Sequence, residues 1–191
     1  MSLRALHLAV RNQLRSTVTH NGVALAQKTC EVMGPDGKPP ARSGEDFVAV
    51  HGGGSQNQSR DDLDETYHLF VTVTMRAARV PPDRWGPDLL DKATTGLDVL
   101  CRSVKICVHK DANNDVIIRA ANVILGAGAD GFSGINGFVE SLIFENEGED
   151  RPVGMDWFSA HVDDPPEQHF GFARTLRFGG ARLIQTLESM V

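Results

Sequence analysis

His68–Ala77 reads HLFVTVTMRA, and this run decides the fold. Leu69, Val71, Val73 and Met75 alternate with Phe70, Thr72, Thr74 and Arg76. A period of two puts the first set on one side of an extended chain and the second set on the other. β-Branched residues fill the run, and they suit a pleated surface. The segment is therefore read as a strand. VPPDRWGP (80–87) then breaks the pattern, because each proline lacks a donor and fixes φ.

Beyond the break, Leu89, Ala93, Leu97, Leu100, Val104 and Val108 recur at helical spacing and predict a helix over about 88–109. Asp88 suits its start, and Lys105, His109 and Lys110 suit the negative end of its dipole. The chain after it reads mainly as β: VIIRAANVIL (116–125), GFVESLIFE (137–145), VGMDWFSAHV (153–162) and FARTLRF (172–178). ARLIQTLESM (181–190) reads as a short helix or tail.

On the N-terminal side, FVAVH (47–51) reads as a short strand that runs into a polar loop, GGGSQNQSRDDLDE. GPDGKPPARSGED (34–46) is rich in turn formers, and GVALAQKTCEVM (22–33) suggests another strand. Leu3, Leu6, Val10 and Leu14 predict a helix over about 3–17, capped by Ser2, with Arg4, Arg11 and Arg15 off the apolar stripe. The fold class expected is α+β: a mainly antiparallel sheet packed by two main helices, with long extended loops. Residues 1–191 are expected to form one domain, with loop excursions at about 34–66 and 126–136.

Composition narrows the function. Apolar residues make up 41% of the 191 and charged residues 23%, a globular balance. A net charge of −6 argues against a protein that binds nucleic acid by neutralising many phosphates. There is no run of 18 apolar residues and no signal-peptide core near the N-terminus, so a cytoplasmic chain without membrane contact is expected. Cys30, Cys101 and Cys107 form no C-x-x-C pair and are read as small buried thiols in a reducing compartment.

Four motifs carry possible chemistry. Gly126, Gly128 and Gly131 in VILGAGADG fit the dinucleotide fingerprint in letters. That turn needs a helix starting inside it, but the chain continues as FSGING with no helical stripe. His51-Gly52-Gly53-Gly54 resembles an oxyanion loop, yet no G-x-S-x-G elbow follows; a loop between strands is expected. Asp111–Asp115 begins like a calcium loop but has Val116 at the glycine position and Asn122 at the glutamate position, which leaves a plain turn. The seven histidines show no metal-ligand spacing; His161, Asp163, Asp164 and His169 share a proline-containing loop read as solvated. No cofactor, metal or catalytic residue is assigned, and no enzymatic activity is expected.

Charge is segregated along the chain. Residues 1–43 carry six basic and two acidic side chains, residues 44–67 one and six, and residues 137–170 one and nine. Separation of this kind can steer copies into head-to-tail contact, and it equally describes solvated faces. One pairing between subunits is suggested: Arg4, Arg11 and Arg15 against Asp61, Asp62, Asp64 and Glu65.

Five phrases carry a resemblance over most of the chain: LRALHLAVRNQL (3–14), the loop-and-strand stretch GEDFVAVH to PPDRWG (44–86), GLDVLCRSVKICVH (96–109), GMDWFSA (154–160) and FARTLRFGGARLIQ (172–185). Their order and layout resemble the tail terminator, or tail completion, proteins of long-tailed bacteriophages. The resemblance implies a helix-plus-sheet fold that forms a ring, usually a hexamer, at the head-proximal end of the tail tube. Its partners would be other copies of itself, the tail tube protein and the head–tail connector or stopper proteins. Phage DNA would pass through the lumen without specific binding, and acid-rich segments facing it would repel that DNA. The place implied is the virion neck, assembled in the bacterial host cytoplasm. A neighbouring connector, stopper or tube component shares the structural class, and a small nucleotide-binding enzyme built on Gly126–Gly131 is the rival from another class.

Overall fold

A computed structural model describes residues 2–20, 22–25, 29–32, 47–57, 65–78, 82–109, 111–126, 137–138, 142–154 and 170–184. The expected loop 34–46, the run 155–162 and the segment 185–191 lie outside the described residues.

The strand that opened the reading is the centre of the molecule. It is β5 (Glu65–Ala78), longer at both ends than its alternating run. It lies between β4 (Phe47–Asn57) and β9 (Phe170–Ile184), antiparallel to both. β3 (Thr29–Val32) lies beside β4 in parallel and forms one border of the sheet. The other border is a broken line of three short strands on β9: β6 (Gly137–Phe138), β7 (Ile143–Glu147) and β8 (Arg151–Val153). A separate ribbon pairs β1 (Thr19–His20) with β2 (Val23–Ala24). The architecture is α+β, with a mostly antiparallel sheet packed against helices.

Leu69, Val71, Val73 and Met75 face the helices and are buried with Val48, Val50, Leu176 and Phe178 from the flanking strands. Thr72 and Thr74, from the alternate set, are buried too, beside Ala49 and Ala173. The central strands are thus covered on both faces, which explains why threonine rather than a charged residue fills the second row.

Among the described residues three α-helices pack with the sheet, where two main helices are expected. α1 (Ser2–Thr17) buries Leu6, Ala9, Val10 and Leu14, the stripe its sequence predicts. α2 (Pro87–His109) starts on Gly86, whose carbonyl accepts from Leu89 and Leu90, with proline at the first helical position. It buries Ala93, Leu97, Leu100, Cys101, Val104, Cys107 and Val108.

α3 (Asp111–Leu125) is the main correction, because the sequence reading makes 111–115 a turn and 116–125 a strand. Its buried residues are Ile117, Ile118, Ala121 and Asn122, with Leu125 packed against the core. That spacing is one face of a helix. A strand would instead group Ile117, Arg119, Ala121 and Val123, and Arg119 and Val123 stand in solvent. The β-branched composition favoured a strand, and packing on α1 overrode it.

Other boundaries also differ. The HGGG segment is strand rather than loop: β4 continues through Gly52–Asn57, paired with β5 across an irregularity between His51 and Gly54. Gly52 takes φ of +57° there, a conformation glycine adopts freely. Within the expected strand 22–33, Val23–Ala24 form β2 and Thr29–Val32 form β3, while 26–28 and 33 lie outside the described residues. Of the expected strand 137–145, Gly137–Phe138 form β6 and Ile143 begins β7, while 139–141 lie outside the described residues. Of 153–162, only Val153 is described as strand, at the end of β8. Ala181–Ile184, expected as helix or tail, belong to β9 because they pair with Glu65–Tyr67 and with β6.

Candidate functional site

No cluster of metal-ligating side chains occurs among the described residues, and the candidate site is taken as a set of surfaces. Each grows out of the sheet and the helices above it.

The first lies at the β3 border. Arg4, Arg11 and Arg15 fall on one face of α1, at seven- and four-residue spacing. Glu31 on β3 accepts from Arg11 Nη1 at 2.9 Å and from Arg15 Nη1 at 2.7 Å. One carboxylate thus ties α1 to the sheet through two guanidinium groups. Arg4 is exposed and makes no ion pair among the described residues.

The second lies at the β7–β8 border. Arg174 on β9 reaches under α2 and is 13% exposed. It donates to Asp150 through Nε at 2.6 Å and Nη2 at 3.0 Å, and Nη2 lies 2.7 Å from Asp98 of α2. The hydrogen bond to Asp150 leads the causes that hold its guanidinium charged, well above the usual arginine range. Lys105 Nζ donates to Glu147 at 2.7 Å and lies over the Phe144 ring. The backbone N–H of Phe144 donates to His109 Nδ1 at 3.2 Å, so α2 also caps a strand donor.

The second face of the sheet carries a polar row. Thr72 Oγ1 sits 2.7 Å from His51 Nε2 and 2.8 Å from Thr175 Oγ1, linking β4, β5 and β9. Beside it, Glu145 lies 3.1 Å from His68 Nδ1 and 2.5 Å from Arg177 Nε. Gly179 leaves the space these groups occupy, since a Cβ there would run into Glu145 and His68.

Two buried polar clamps hold the helices. His7 Nε2–H donates to the Gly52 carbonyl at 3.1 Å, which fixes its tautomer. Burial lowers the His7 pKa to about 4; the Gly52 bond opposes the shift, and Arg4 and His51 add to it. Asn122 of α3 donates from Nδ2 to the Phe138 carbonyl at 3.0 Å and accepts from the Phe138 N–H at 2.6 Å. Its side chain therefore gives β6 the pairing a neighbouring strand would give.

The third surface is apolar. Val99 and Ile106 on α2 are 58% and 53% exposed, and Val116 and Val123 on α3 are 50% and 60% exposed. Each pair is spaced by seven residues, so each forms a stripe along its helix. Arg102 and Arg119 lie between the members of the two pairs and are also exposed.

The residues singled out from the sequence divide as follows. Arg11 and Arg15 are brought together by Glu31, a partner sequence spacing does not reveal because it sits 20 and 16 residues away. Glu65 is the first residue of β5, and Asp61, Asp62 and Asp64 lie outside the described residues. Gly126 follows a helix, not the strand a dinucleotide turn requires. Its φ is +79° and its N–H donates to the Val123 carbonyl at 3.0 Å, which makes it the stop of α3. Gly128, Gly131, His161, Asp163, Asp164 and His169 lie outside the described residues. Cys30, Cys101 and Cys107 are free and buried, and burial raises their thiols to about 12, 12 and 11. At those values they stay protonated and act as small apolar fillers. No family model matches the chain, and comparison with curated proteins finds no significant match.

Proposed function

We propose that this chain is a structural protein of a bacteriophage neck. It forms a ring that caps the tail tube, ends tube polymerisation and joins the tail to the head connector. The observation that carries the reading is the line of exposed valine and isoleucine along α2 and α3. Such surface favours burial against another protein. The likeness of the sequence to tail terminators supplies the place in the virion, and the α+β architecture is the kind that likeness implies.

In this reading the ring works by covering surfaces rather than by chemistry. One side occupies the end of the tube, where another tube ring would add, and the opposite side meets the connector. The test is a phage lacking the gene for this chain. Tubes of unregulated length, free of heads, are the expected product by electron microscopy. Tails of normal length joined to heads overturn the reading. Labelled protein found along the whole tail would make the chain a tube subunit instead.

A further inference from the structure

Two glycine pairs interrupt the sheet, one on each side of β5. Gly52–Gly53 of β4 face Leu69, where the pairing shifts between His51 and Gly54. Gly179–Gly180 of β9 face His68, where it shifts between Tyr67 and Leu69. Each sets two residues against one, the arrangement of a β-bulge. The bulges differ in what lies beyond them. Past the one in β9, Ala181 and Leu183 are buried with Tyr67 and Phe138, and Asn122 of α3 holds the Phe138 backbone. Packing fixes that side. Past the one in β4, the ladder with β5 carries Gly54–Asn57, and β3 pairs with β4 no further than Phe47–Val50 among the described residues. Two glycines thus join an outer strand end to the rest of β4.

That bulge carries a tie from the helix layer. His7 of α1 donates to the Gly52 carbonyl and is 7% exposed. A protonated ring there would keep the donor but lose most of its water. The groups whose charge acts on it are Arg4, one turn earlier on α1, and His51 of β4. Both oppose a second positive charge. Glu31 of β3 is taken by Arg11 and Arg15. The described charged side chains of α2 and α3 are exposed or, for Asp98 and Lys105, paired with Arg174 and Glu147. We propose that Gly52–Gly53 is a hinge and His7 its latch, and that protonation of His7 frees the outer end of β4, Gly54–Asn57, from β5. Phe47–Val50 stay paired with β3 and β5, so the core is kept. The backbone of Glu65–His68 that faced β4 becomes an open strand edge. The released ring titrates near 6.5, against about 4 when latched, so the latch holds above pH 6.5 and fails as pH falls toward 4. The inference does not depend on the neck reading.

The experiment is amide exchange on the full chain by NMR, corrected for the intrinsic effect of pH. From pH 7 to pH 5, protection in Gly54–Asn57 should fall about thirtyfold, the ratio that the two His7 pKa values set. Val48–Val50 and Val71–Val73 should keep theirs. The His7 ring, followed in the same samples, should titrate over the range in which the outer segment opens. His7→Gln keeps a donor toward Gly52 and does not titrate, so its protection should be equal at both pH values. His51→Gln should leave the acid response in place. Equal loss in the inner segments makes the event general unfolding and overturns the hinge. An acid response that persists in His7→Gln, or a His7 ring that titrates while Gly54–Asn57 stay protected, overturns the latch. A response lost in His51→Gln moves the latch to that ring and overturns the role of His7.

Discussion

β5 and α3 are built from similar residues and fold differently. HLFVTVTMRA carries three β-branched apolar or threonine residues within Val71–Val73 alone, and VIIRAANVIL opens and nearly closes on such residues. In the first, apolar and polar residues alternate, and the segment is the central strand. In the second, the buried residues recur every three to four positions, and the segment is a helix. Composition is thus a weaker guide than the period of burial. The pair also differs in surroundings: β5 is covered on both faces, whereas α3 leaves Val116 and Val123 in solvent.

The largest effect is expected where the contrast has least freedom to relax. Leu69→Ala in β5 removes a fully buried side chain from between sheet and helices and should cost about 2–5 kcal/mol in urea unfolding. Val123→Ala in α3 deletes a similar apolar group and serves as its control. A cost at position 123 as large as that at 69 would contradict the helix.

Acid should act on the sheet side first. Folded His7 has a pKa of about 4, against about 6.5 when unfolded. Its contribution is therefore complete above pH 6.5 and is lost as pH falls toward 4, by at most ~3 kcal/mol. His7→Gln should flatten that pH dependence. Hydrogen exchange at pH 5 should show β4 near Gly52 loosening before α3. Equal loosening of both would place the acid-sensitive contact elsewhere.

Asn122 tests how α3 meets the sheet. Asn122→Ala leaves the buried N–H and C=O of Phe138 without their partners and should cost roughly 2 kcal/mol. Exchange of the Phe138 amide should accelerate more than that of amides within β5. Unchanged protection at Phe138 would show that the side-chain clamp contributes nothing.

The smallest effect has the most informative sign. In a helix, Val123→Ala at an exposed site should be neutral or stabilise by up to about 0.5 kcal/mol, because alanine is the better helix former. In a strand the same change would destabilise. A thermal shift measurement separates the two.

Much of this molecule is written in local pattern. Alternation in 68–77 marked the central strand, and helical spacing in 3–17 and 88–109 marked α1 and α2 with their buried stripes. Both signals are local, since period follows from backbone geometry within a single element. The α3 segment was also legible by period, but its β-branched residues argued for a strand until packing on α1 showed which residues were buried. The glycines of HGGG suggested a loop; hydrogen bonding to β5, with an irregularity to absorb the misfit, keeps them in β4.

The candidate surfaces belong to tertiary structure. Glu31 meets Arg11 and Arg15, and Arg174 meets Asp98 and Asp150, because distant segments converge. Spacing along a chain fixes which residues share a face. Which faces then meet depends on sheet pairing and helix packing between parts far apart in sequence.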